Sequence, residues 1–189
     1  MAKVLYVDSG CGQTILSASD AVHNGRQCTI EIEGVASTMM VNTIGTAFLL
    51  IEADDGRWHV GEVHECLQGG GQHDLLSVSQ VQDRDGNRCD TSTNANPTVT
   101  FDGVTFPLEL QDGLYGLKYL PLTENDPRIQ LLPQVLMTNE GEYVPVTIRR
   151  NNKTVWARRN LTAMPRGTMV AKVDGNVKVG FGDALERLS

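Results

Sequence analysis

The residues with the clearest chemistry are Asp8, Ser9 and Gly10, which follow directly on the apolar run Val4-Leu5-Tyr6-Val7. A lone carboxylate is a weak acid or base. Two carboxylates held a few ångströms apart cannot both ionise easily, so they share one proton. One member can then take a proton from water while the other gives one up. A hydroxyl at the next position can tie two such loops together, and a glycine after it lets backbone N–H groups approach the charge. The plainer reading is a strand ending in a turn, because Asp, Ser and Gly are common turn residues. The triplet occurs once in the sequence, so a carboxylate pair built from it requires a second copy of the chain.

Other reactive side chains form weaker patterns. His59, His64, Cys66 and His73 are spaced His-x4-His-x-Cys-x6-His, which matches no usual structural zinc arrangement, and no metal site is expected from them. Cys11, Cys28, Cys66 and Cys89 contain no close CxxC pair and are read as reduced thiols in a cytosolic setting. The net charge of −7 argues against a general nucleic-acid binder. Arg149, Arg150, Lys153, Arg158, Arg159 and Arg166 do gather late in the chain around Trp156, and are read as a solvated basic face. No apolar run approaches the roughly 20 residues that span a bilayer, and no secretory signal is expected at the N-terminus.

The elements around these residues read as strands and turns. Aromatic content of 5% leaves Val, Leu, Ile and Met to build the core. Strands are expected at Val4–Val7, Thr29–Glu33, Met39–Val41, Ala47–Ile51, Trp58–Val63 and Leu114–Leu120. Asp54-Asp55-Gly56 and Asp102-Gly103 are hairpin turns, the second joining Thr98–Phe101 to Val104–Leu110, where Pro107 marks an edge strand. Gly69-Gly70-Gly71 is a break, and Leu75–Gln82 reads as a short helix with Asp74 as its N-cap. Thr123–Pro127 is the best boundary, dividing a first domain, 1–122, from a β-rich C-terminal extension, 123–189. Within the extension, strands are expected at Tyr143–Ile148, Thr154–Ala157, Met169–Val173 and Val177–Val179. Asn151-Asn152 is read as a turn and Asp183–Leu188 as a final helical turn.

Several stretches follow the triplet in order: GVASTMMVNTIGT at Gly34–Thr46, Asp55-Gly56, DLLSVSQV at Asp74–Val81 and GLYGL at Gly113–Leu117. Over roughly residues 4 to 120 the chain resembles the retropepsin-like aspartic proteases of Copia-type retrotransposon polyproteins. In that family a catalytic Asp-Ser-Gly is followed by a flap with an Ile-Gly-Thr return, an Asp-Gly hairpin and a Leu-Leu-Ser-Val-Ser-Gln-Leu stretch. The chain departs from the pattern at Cys11, where Ala is usual, and at Val35-Ala36, where Asp-Gly is frequent.

The resemblance implies an all-β, closed retropepsin-like barrel of six or seven strands, with a flap hairpin and one short helix. It implies Asp8 as the catalytic acid, Ser9 as the brace between paired loops, and Gly10 as the third member of the motif. Val35, Ala36, Ser37 and Thr38 would form the flap tip over the substrate. Leu75 and Leu76, with Ser77, would form the element behind the catalytic loop and contribute to substrate binding. The implied activity is aspartic endopeptidase cleavage of a retroelement polyprotein by a homodimer, in a cytoplasmic particle, with no cofactor. The alternative is a catalytically silent dimer of the same fold that binds peptide without cutting it.

Overall fold

The computed structural model describes residues 2–140 apart from 10, 12, 19–20, 34–37, 70–72 and 92–95, with 26–33 and 38–42 described as backbone alone. Beyond residue 140 it describes the backbone of four strands. In chain order the strands of the first part are β1 (Lys3–Asp8), β2 (Ile15–Leu16), β3 (Val22–Glu33), β4 (Thr38–Glu52), β5 (Trp58–Gln68) and β6 (Asp74–Ser77). Helix α1 (Val78–Gln82) follows, then β7 (Arg88–Asp90), β8 (Thr98–Phe101), β9 (Val104–Pro107), β10 (Glu109–Gln111) and β11 (Leu114–Leu122). The remainder comprises α2 (Arg128–Leu131), β12 (Gln134–Leu136), β13 (Tyr143–Ile148), β14 (Lys153–Arg158), β15 (Val170–Val173) and β16 (Asn176–Val179).

Six strands close into a barrel in the order β11-β1-β6-β2-β5-β4, with β4 pairing back to β11 through Leu50↔Leu120 and Phe48↔Leu122. Closure leaves no open edge within the ring, which is how a small all-β body avoids unpaired backbone groups. The interior is aliphatic with a few rings: Leu5, Leu49, Ile51, Leu76, Phe101 and Tyr119 are all buried in one cluster. Each fully buried Leu or Phe stabilises the body by about 1.5–3 kcal/mol. A smaller cluster, Leu50, Val60, Leu122 and Ile129, sits under α2.

The hairpins follow turn chemistry. Asp102 and Gly103 both have positive φ, 49° and 81°, the backbone required by a two-residue turn between twisted strands. Asp112 and Gly113 repeat the device between β10 and β11, with φ of 52° and 80°. Pro107 lies on β9, an edge of the separate three-stranded sheet β7-β8-β9, so its missing N–H leaves no ladder bond unmade. Val104–Leu110 is nevertheless not one strand. It breaks at Leu108, whose N–H donates to Pro97 O at 2.9 Å, and β10 joins the barrel sheet instead.

The two strands expected at Met39–Val41 and Ala47–Ile51 are one continuous strand, β4, paired over its length with β3 and β5. The stretch Gly34–Thr46 is not a hairpin by itself: Thr38–Thr46 belongs to β4 and pairs with His23–Glu33 of β3, closing with Glu33 opposite Thr38. Its tip, Val35, Ala36 and Ser37, lies outside the described residues, as does the side chain of Thr38. The turn at Asn151-Asn152, the helical turn at Asp183–Leu188 and most of the Gly69–Gly71 break also lie outside them.

One element differs in kind. The helix expected from Leu75 with Asp74 as cap starts only at Val78, and Ser77 is the cap, its Oγ accepting from Gln80 N. Residues Asp74–Ser77 are strand β6, parallel to β1. Sheet pairing on both sides outweighs the helical look of the apolar run, because β6 fills the gap between β1 and β2.

After the polar stretch 123–127 the chain returns to the barrel. Strand β12 runs parallel to β5, with Gln134 opposite Val60, and Met137 is fully buried beside it. Gly61 makes that approach possible: a Cβ there would lie 2.5 Å from Met137 Sδ. Strands β13 to β16 form an antiparallel run that joins β3 through a parallel β16 contact, Val177↔Ile30.

Candidate functional site

Asp8 ends β1, half-buried, directly opposite Ser77 at the end of β6. Strand β6 threads between β1 and β2, which the loop carrying Asp8 connects, so the loop arches over the strand that pairs with both its flanks. Ser9 is exposed at the start of that loop, and Gly10 lies outside the described residues.

The far side of the loop is latched by buried side chains. Ser77 Oγ donates to Cys11 O at 2.6 Å, and Ser77 N donates to Thr14 Oγ1 at 3.1 Å. Thr14 N donates to Gln80 Oε1 at 2.9 Å, while Gln80 Nε2 reaches His64 O at 3.3 Å and Glu65 O at 3.1 Å. Gln13 Nε2 also donates to Glu65 O, and Leu67 N donates to Thr14 O at 2.9 Å. Gln13, Thr14, Ser77 and Gln80 are fully buried. Such buried bonds are costly to break, so they hold Cys11, Gln13 and Thr14 in place, with Gln13 Oε1 left unsatisfied. Glu65 presents its carbonyl from a left-handed conformation, φ 55°, in the irregular stretch of β5 opposite Gly45–Ala47.

Cys11 contributes packing. Its thiol is buried, donates to Gln13 O at 2.8 Å and is pushed up to about 12 by burial, with the Asp8 charge adding to the effect. A thiol held neutral in this way is a poor nucleophile.

Asp74 was expected at a helix N-terminus and instead sits buried beneath the site. Its Oδ1 accepts from Ser17 N at 2.8 Å and Ser17 Oγ at 2.7 Å, and its Oδ2 accepts from Tyr119 OH. Burial, and then the bond to Asp74, holds the Tyr119 hydroxyl well above its ordinary range. This acid therefore ties together β6, β11 and the chain leaving β2. Of the two leucines expected at the site, Leu76 is fully buried in the core and supports the loop by packing, whereas Leu75 is half-buried on the outer side with Tyr6 opposite it. Tyr6 meets His73 edge-on at 5.6 Å and faces Gly116, where a side chain would collide with Val4. Leu114, two residues before Gly116 on the same face, is exposed.

The histidines and cysteine of the x4-x-x6 spacing do not converge. His59 packs edge-on against Phe106 and His73 against Tyr6, while Cys66 is buried in the core. His64 has its own partners, Glu62, Glu140 and Thr46.

The Gln80 bridge and the Asp74–Tyr119 pair are the features the sequence did not disclose. The glutamine was visible within DLLSVSQV, but its three partners lie in two other segments. Chemically the arrangement offers one half-buried carboxyl at the end of β1, beside a partly apolar outer surface. No family model, curated protein or solved structure was found to match this chain.

Proposed function

We propose that this chain is one protomer of a dimeric aspartic endopeptidase that cleaves a Copia-type retroelement polyprotein in a cytoplasmic particle. The observation that carries the reading is the position of Asp8 at the mouth of a loop threaded by β6 and latched by Ser77 and Gln80. Acid–base catalysis by a carboxyl pair needs groups placed to within a few tenths of an ångström, and a loop with buried hydrogen bonds to three other segments meets that need.

In the proposed reaction, two Asp8 carboxyls from two chains share one proton. The ionised member takes a proton from water, whose oxygen attacks the peptide carbonyl carbon. The protonated member gives its proton to the carbonyl oxygen. Collapse of the resulting tetrahedral species breaks the C–N bond as a proton passes to the leaving nitrogen. Ser9 braces the paired loops, the β3–β4 hairpin covers the peptide with Val35–Thr38, and Leu75 and Leu114 border it. No metal takes part in this scheme.

The test is cleavage of a peptide library by the chain, with and without pepstatin, together with its sedimentation behaviour. The expected result is pepstatin-sensitive cleavage by a dimer, lost in Asp8→Asn with the fold intact. Undiminished cleavage by Asp8→Asn would sink the reading. Peptide binding without cleavage would favour the silent dimer.

A further inference from the structure

A second cluster lies on β5, outside the Asp8 loop. We propose that Glu62, His64 and Glu140 form a divalent-cation site of the zinc class that clips the chain after β12 to β5.

Glu62 Oε2 lies 3.1 Å from His64 Nε2, and Glu140 Oε1 lies 3.9 Å from the same nitrogen. The three ligand atoms all fall within 4.8 Å of one another. Metal–ligand bonds of about 2.0–2.2 Å place first-sphere atoms about 3–4.4 Å apart, so two separations already fit. Glu140 is the exposed member, its side chain 69% accessible, and has the freedom to close the third.

Two further observations point to a cation. The first is charge. Among the described residues, the ion pairs of both carboxylates run to His64 alone. Two carboxylates therefore face a single imidazole. A divalent ion carries the charge that balances two carboxylates.

The second is preorganisation. His64 Nδ1 lies 3.3 Å from Thr46 Oγ1, an outer partner that can fix the ring and turn Nε2 toward the carboxylates. Thr138 Oγ1 accepts from His64 N and donates to His64 O, both at 2.8 Å, and Met137 N donates to Glu62 O at 2.9 Å. These bonds set residues 137–138 in register with 62–64, and Glu140 follows two residues later.

One imidazole with two carboxylates suits zinc or manganese better than magnesium, which keeps most of its water and prefers oxygen ligands. Three protein ligands leave at least one position for water. Because His64 O also receives Gln80 Nε2, a bound ion would stiffen the stretch of β5 that latches the Asp8 loop.

The experiment is calorimetric titration of the tag-free, chelator-treated full chain with zinc, and separately with magnesium, alongside a thermal melt and zinc-edge absorption spectroscopy. Cys89→Ser serves as background, because Cys89 is the half-buried thiol among the described cysteines. The expected result is saturable binding of one zinc per chain with a nitrogen and oxygen shell, a raised melting temperature, and far weaker magnesium binding. Glu140→Gln, which changes an exposed side chain, should weaken zinc at least about tenfold without altering the zinc-free melt. Absence of saturable binding, a sulfur-containing shell, or zinc affinity unchanged by Glu140→Gln or by His64→Ala would each overturn the proposal.

Discussion

Two loops in this protein begin alike and end differently. Asp8-Ser9-Gly10 and Asp102-Gly103 each follow an apolar strand, β1 and β8. At Asp102 the chain turns straight back into β9, and both carboxylate oxygens hold structure. Oδ1 accepts from Arg84 Nε and Oδ2 from Leu136 N, each at 2.7 Å. At Asp8 the chain does not turn back on its own strand. It crosses β6 to reach β2, and the holding is done by Ser77, Thr14 and Gln80 around the loop. An acid whose oxygens fasten the fold is a structural acid. The Asp8 loop is fastened through Ser77, Thr14 and Gln80, and the catalytic role proposed for its carboxyl builds on that.

The contrast can be broken or sharpened by substitution. The largest expected effect is on catalysis: Asp8→Asn should lower the proposed peptide cleavage by about 10²–10⁴-fold at unchanged melting temperature. Asp102→Asn should leave the rate alone. An equal loss of rate in both would erase the distinction.

Next is Gln80→Ala, which strands Thr14 N in a buried region and takes one of two donors from each of His64 O and Glu65 O. Chemical denaturation should show about 2–4 kcal/mol of lost stability. Asp102→Ala removes a partly exposed ion pair and one backbone contact, and should cost about 1–2 kcal/mol in the same assay.

A further effect is confined to alkali. The Cys11 and Cys89 thiols are both pushed up to about 12 by burial, from an ordinary value of 9.0. They bind protons more tightly when folded, so their contribution is complete below about pH 9 and is lost as pH rises toward 12. The slope should be about 1.4 kcal/mol per pH unit for each thiol. Cys11→Ala should remove one such increment from the pH dependence of unfolding.

How much of this was legible in the sequence depended on distance along the chain. Strand β1 and the Asp-Gly hairpins were readable because an apolar run and a positive-φ turn are local facts. Strand β6 was misread because Leu75-Leu76 followed by Val78 and Val81 has helical spacing, and nothing local reveals strands on both sides. Asp74 looked like a cap for the same reason; its real partners, Ser17 and Tyr119, are remote. Helix α2 and strand β12 went unread because they are only four and three residues long. What marks β12 is Met137 lying against Gly61, a match of shapes visible only once β5 is in place.

The closed ring also sets an order of events during synthesis. Strand β1 precedes the other described strands of the ring, yet its two neighbours are residues 74–77 and 114–122. A nascent chain leaving the ribosome therefore holds Asp8 on an unpaired segment until β6 and α1 have emerged, and β1 keeps one open edge until β11 arrives. Contacts so far apart are slow to form, because the intervening loop must be ordered before they can reward it. Asp8 is thus among the last groups of the ring to acquire its final geometry, because both neighbours of its strand lie far along the chain.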